Sequence, residues 1–146
     1  MWAARVEQGM DRLRSLRTQV GLQEEPSKAF AFRYAYLIWK DPLMGVGDDT
    51  YTADLIAWAG GRNVLSGGER YPALAADELE EKAPELVLLP DEPFPFAEKH
   101  LEAMQAVAPH SDLQLVGGDD FCWHGVRTVR GLQRAAELLA RYGTET

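Results

Sequence analysis

Positions 30–39 alternate with a period of two. Phe30, Phe32, Tyr34, Tyr36 and Ile38 fall on one face, and Ala31, Arg33, Ala35, Leu37 and Trp39 on the other. Large apolar residues on both faces suit a strand covered on each side. Lys40-Asp41-Pro42 ends it, because proline gives no ladder donor and pushes the residue before it out of helical space. A loop then carries Met44, with Gly45 and Gly47 allowing tight turns. Asp48, Asp49 or Thr50 can accept bonds from the first free amides of a helix over about 50–59. Leu55, Ile56 and Ala59 form that helix's buried face, and Gly60-Gly61 stops it.

Upstream, Trp2, Val6, Met10, Leu13, Leu16 and Val20 recur at spacings of three and four, which predicts an amphipathic helix over 2–20 ending at Gly21. Arg5, Arg12, Arg14 and Arg17 mostly fall off the stripe. Residues 22–28 are polar and read as a linker. Downstream, Asn63-Val64-Leu65 suggests a short strand, 66–72 a loop, 75–82 a short acidic helix, and 85–89 a buried strand closed by Pro90. A helix over 97–107, a strand over 112–116, a turn at Gly117-Gly118-Asp119-Asp120 and a helix over 124–142 complete the pattern. Strands alternating with helices predict an α/β fold: a three-layer lobe with a mainly parallel sheet, helices on both faces, and an amphipathic helix before it. The divisions are 1–21 for the N-terminal helix, 22–29 for the linker and 30–146 for the lobe.

Composition narrows the partners. The chain has 146 residues, 46% hydrophobic and 26% charged, enough for one domain with a real core. Its net charge of −8 argues against a nucleic-acid duplex or an anionic membrane as partner. Cys122 is the sole cysteine, so no internal disulfide is possible. No apolar run is long enough to span a membrane, and no signal-peptide pattern is read at the N-terminus.

Candidate chemistry is sparse. Gly45-Val46-Gly47-Asp48-Asp49-Thr50 falls short of a dinucleotide-binding loop: Thr50 replaces the third glycine, and two aspartates would stand where a pyrophosphate must sit. His100, His110 and His124 lack metal-ligand spacing, and Cys122 with His124 is too few ligands for zinc. The same pair makes a poor nucleophile and base, with no group to orient it. No cofactor is implied. Glu78, Glu80, Glu81 and Glu85 read as a solvated acidic face. Tyr71, Phe94, Phe96 and Trp123, with Met44, all fall on predicted loops near strand or helix ends. Such residues are ordinary packing or the wall of a pocket.

Several segments together resemble one family. Ile38-Trp39-Lys40-Asp41-Pro42-Leu43-Met44-Gly45-Val46-Gly47-Asp48-Asp49-Thr50, Gly60-Gly61-Arg62-Asn63-Val64, Arg70-Tyr71-Pro72, the segment from Pro84 to Phe96, and Trp123-His124-Gly125-Val126-Arg127 occur in its order. The family is that of the substrate-binding proteins of ABC importers for cobalamin, haem and iron-siderophores, whose two lobes are joined by one long helix. The pattern differs at Cys122, where the family usually has serine.

The match covers residues 30–142 and is similar to the C-terminal lobe, with helix 2–20 resembling the end of the joining helix. The resemblance implies capture of a metal chelate without chemistry, between two lobes, and delivery to the importer's membrane subunits. It implies a periplasmic or extracellular, membrane-associated location. Met44, Tyr71, Phe94 and Trp123 would supply this lobe's apolar wall, and Asp77 would meet a basic patch on the importer. An open cleft face could also pair two copies. The other readings are an α/β enzyme, or an interaction lobe without a small-molecule ligand.

Overall fold

The computed structural model describes residues 2–26, 29–65, 70–122 and 128–142. The first helix, α1 (Trp2–Gln19), ends at Gly21, whose positive φ of 86° terminates the turn. Strand β1 (Phe32–Trp39) is the centre of the sheet. On one side it pairs in parallel with β5 (Leu86–Pro90), which pairs in parallel with the edge strand β6 (Asp112–Val116). Its other side is shared. The start of β1 pairs in parallel with β3 (Gly61–Asn63), and its end pairs antiparallel with β2 (Leu43–Gly45). Outside β2 lies β4 (Ala73–Leu74), also antiparallel. The sheet is mixed but mostly parallel, as a lobe of alternating strands and helices requires.

The alternation along β1 sorts two cores. Phe32, Tyr34 and Tyr36 pack with α1, α2 (Tyr51–Trp58) and α6 (Thr128–Tyr142). Ala35 and Leu37 face the other way, onto Leu79 of α3 (Ala76–Lys82) and Met104 of α4 (Leu101–Val107). Every residue of β5 is buried, as a central parallel strand demands. Thr50 is the residue that caps α2, its hydroxyl accepting from the Ala53 amide at 3.1 Å.

A buried charge sits between α1 and α2. Arg17 is fully buried, and its guanidinium donates to the carbonyls of Gln23, Glu25, Ala57 and Trp58 at 2.7–3.0 Å. Two of these, those of Ala57 and Trp58, belong to the last turn of α2, a favoured seat for a cation. Burial pulls its pKa down from the usual value. The arginine therefore does not follow its neighbours to the surface, as the stripe suggests.

Other elements also differ from the sequence reading. The chain after Pro42 turns back as β2, so Met44 sits on a strand, opposite Trp39 and Ala73. Neither Gly45 nor Gly47 has a positive φ. Gly45 is needed for close approach instead: a Cβ there would meet Leu65 Cδ1 at 2.3 Å and the Tyr36 carbonyl oxygen at 2.9 Å. The short strand after α2 begins at Gly61, two residues before the expected start. The predicted helix over 97–107 opens as a 3-10 turn (Glu98–His100). Gly117–Asp120 is more than a turn, because α5 (Gly118–Cys122) starts there. Asp119 and Asp120 occupy its first turn, where carboxylates offset the free amides. Asp120 is also held by Arg130 at 3.1 Å and Arg134 at 3.2 Å, which ties α5 to α6.

Candidate functional site

The carboxyl end of β1 gathers four distant segments. The amides of Gly45 and Gly47 donate to the carbonyls of Pro72 and Arg70 at 3.0 and 2.7 Å, which binds the loop around Tyr71 to the strand-to-helix connection. The Val46 amide returns to the Tyr36 carbonyl at 3.0 Å, and the Phe94 amide to that of Ile38 at 3.2 Å. Buried Asn63 holds the connection from below. Its Nδ2 donates to the Val46 carbonyl at 2.8 Å, and its Oδ1 accepts from the Leu65 amide at 2.9 Å.

These tethers leave a concavity of about 320 Å³. Ile38 and Val46 line it from the sheet, Thr50–Thr52 from the start of α2, and Arg70, Tyr71 and Pro93 from the loops. The volume is at the low end of small-molecule sites, which run from about 300 to 1,000 Å³. Tyr71 is 47% exposed, with the Arg70 guanidinium 5.8 Å from its ring centre.

Of the residues singled out in the sequence, Tyr71 lines this concavity directly. Phe94 stands beside it, next to Pro93, in an aromatic group. Its ring centre is 5.3 Å from Trp39, 4.6 Å from Phe96 and 5.1 Å from His100. Met44 is half-buried opposite Trp39, at the edge of the same group and outside the concavity's lining. Asp77 is exposed on the first turn of α3, outside the concavity's lining. Trp123 and His124 lie outside the described residues, as does the rest of the motif from 123 to 127.

Ile38, Thr52, Arg70 and Pro93 were not singled out as site residues. Arg70 had a signal, since it precedes Tyr71 in the Arg-Tyr-Pro motif. The others are brought in by tertiary pairing alone. The His100 ring is anchored: its Nδ1 accepts from the Ala97 amide at 3.0 Å and it packs on Phe94 and Phe96. Among the described residues no group of histidines, cysteines and carboxylates could hold a metal ion. Near the start of α2, burial raises the pKa of Asp48, with Asp54 adding to the rise and Arg62 opposing it. The arrangement offers an apolar, aromatic surface with one guanidinium at its rim.

No family model matches the chain, and no curated protein matches it in sequence. Solved structures do match it. The periplasmic vitamin B12 binding protein BtuF of Vibrio cholerae superimposes with a TM-score of 0.66 at 18% identity, over 92% of this chain and 52% of its own. The periplasmic heme-binding protein RhuT from Roseiflexus sp. RS-1 gives 0.67 at 18%, over 97% and 55%. A periplasmic heme binding protein from Pseudomonas aeruginosa gives 0.68 at 16%, over 99% and 52%. The chain spans about half the length of each, and its fold is that of the C-terminal lobe of such a binding protein. Among the described residues no helix is long and apolar enough to cross a membrane.

Proposed function

We propose that this chain is the C-terminal ligand-binding lobe of an ABC importer's substrate-binding protein, taking cobalamin, haem or a ferric siderophore without chemistry. The observation that carries the reading is the half-exposed ring of Tyr71 at a concavity on the carboxyl edge of β1. Open α/β sheets bind ligands at that edge. Tyr71 and Phe94 supply this lobe's share of the wall, with Met44 at its margin, and Arg70 faces the ligand's polar rim. Asp77 docks on the importer's membrane subunits from an exposed helix start. The work of such a protein is done in the periplasm or outside the cell.

The test is an absorbance and calorimetric titration of this chain with cyanocobalamin, haemin and a ferric hydroxamate siderophore. One lobe covers about half of a ligand, whereas good sites bury roughly 70–90% of it. Micromolar or weaker saturable binding to one of the three is expected, weakened further by Tyr71→Ala. No saturable binding to any of them, or an affinity indifferent to Tyr71, would refute the reading.

A further inference from the structure

A second concavity lies between α1 and α6 and shares no residue with the first. Of the four arginines on α1, two are accounted for. Arg14 pairs with Asp11 at 3.1 Å and lies over the Trp58 ring, and Arg17 is sealed among carbonyls. Arg5 and Arg12 are exposed, and neither has an ion pair or side-chain hydrogen bond among the described residues. They stand seven positions apart, two helical turns, so they project from the same side. Between them lies Gly9, where a Cβ would sit 3.0 Å from Leu132 Cδ1, so the two helices are in close contact there.

The groove that results measures about 170 Å³. Buried Val129, Leu132 and Ala136 form its floor. Its rim holds the two arginines with Gln8 and Gln133. No carboxylate lines it, in a chain where 23 acidic residues outnumber 15 basic ones. Two guanidiniums with no carboxylate partner beside an apolar floor offer their forked donors to an anion placed between them. The groove is too small for a helix or strand of a partner, but it has room for a compact oxyanion.

We propose that the α1–α6 groove binds a phosphate-type oxyanion, clasped by Arg5 and Arg12 and capped by the amides of Gln8 and Gln133. The phosphate is either free or the headgroup of an anionic lipid. This site is independent of the cleft ligand and of the importer reading.

The test uses inorganic pyrophosphate, titrated into the isotopically labelled chain at constant ionic strength and followed by NMR. Expected are saturable shifts at Gly9, the side-chain amides of Gln8 and Gln133, and the Nε of Arg5 and Arg12. The double variant Arg5→Gln/Arg12→Gln should bind at least tenfold more weakly, with an unchanged thermal melt because both side chains are exposed. Each single variant should fall between. A parallel arm measures co-sedimentation with phosphatidylglycerol vesicles against phosphatidylcholine vesicles. Lipid binding that depends on both arginines, without saturation by pyrophosphate, assigns the site to a headgroup. Unsaturable shifts together with no arginine-dependent vesicle binding overturn the proposal, as does an affinity that the double variant leaves unchanged.

Discussion

Tyr36 and Tyr71 are the same residue put to opposite uses. Tyr36 lies in the middle of β1, wholly buried, its ring 5.8 Å from that of Phe121. Tyr71 lies at the strand's carboxyl edge with nearly half its surface open. The aromatics of the centre fill the space between sheet and helices. Those of the edge, Trp39 and Tyr71 above all, leave apolar area in water whose full burial would contribute about 1.5–3 kcal/mol per side chain. That area is free for a ligand, a facing lobe or a second copy. Residue type therefore does not separate core from site along this strand; position relative to the covering helices does.

The comparison breaks most visibly if the centre is emptied. Phe32→Ala should cost about 3–5 kcal/mol, because the ring is sealed between Tyr34 and Tyr142. A denaturant midpoint that barely moves would mean that the centre is loosely packed and the contrast false. Asn63 is the link between the two regions. Asn63→Ala should cost about 1–3 kcal/mol by leaving the Val46 carbonyl and Leu65 amide without partners, and it should loosen the concavity. Faster amide exchange at Leu65 and a lower midpoint would report this; unchanged values of both would remove Asn63 from the account.

A third tyrosine sits between the extremes. Burial and the hydrogen bond it donates to Asp112 push the Tyr142 phenol up to about 12, from a usual value of about 10. The folded state then keeps a proton that the unfolded chain loses. This stability is fully present below about pH 10 and falls as pH rises toward 12. Tyr142→Phe should flatten the alkaline limb of a stability-versus-pH curve, and an unaltered limb would count against the bond. Burial also raises the Tyr34 phenol, so both rings should be late to ionise in an ultraviolet titration.

The smallest effect on stability is expected at Tyr71. Tyr71→Ala should change the unfolding free energy by under about 0.5 kcal/mol, the usual range for surface positions. It should also reduce ligand binding or any self-association seen by sedimentation. A loss of several kcal/mol would return Tyr71 to the core.

Much of the architecture could be read from the chain because its signals are periodic and long. The alternation of 30–39 located β1 and assigned its two faces, and 112–116 coincides with β6. What could not be read is short or held by remote partners. β2 and β4 have three and two residues, too few for any period to show, and they exist because each supplies the other's ladder. Gly-Gly-Asp-Asp has the composition of a turn, yet Arg130 and Arg134 on another helix hold its second aspartate and favour a helical start. Burial of Arg17 rests on four backbone carbonyls, which no side-chain pattern reveals. The site follows the same rule. Tyr71 and Phe94 stood out as aromatics on loops, whereas Thr52 and Pro93 gain their place only when the segments meet.

Arg17 makes a lever of the first helix. An 18-residue helix is about 27 Å long, and this one is pinned near its far end to the last carbonyls of α2. The opposite end of α2, Thr50 to Thr52, is a wall of the concavity. The guanidinium therefore ties the carboxyl end of α1 to a two-turn rod whose other end is that wall.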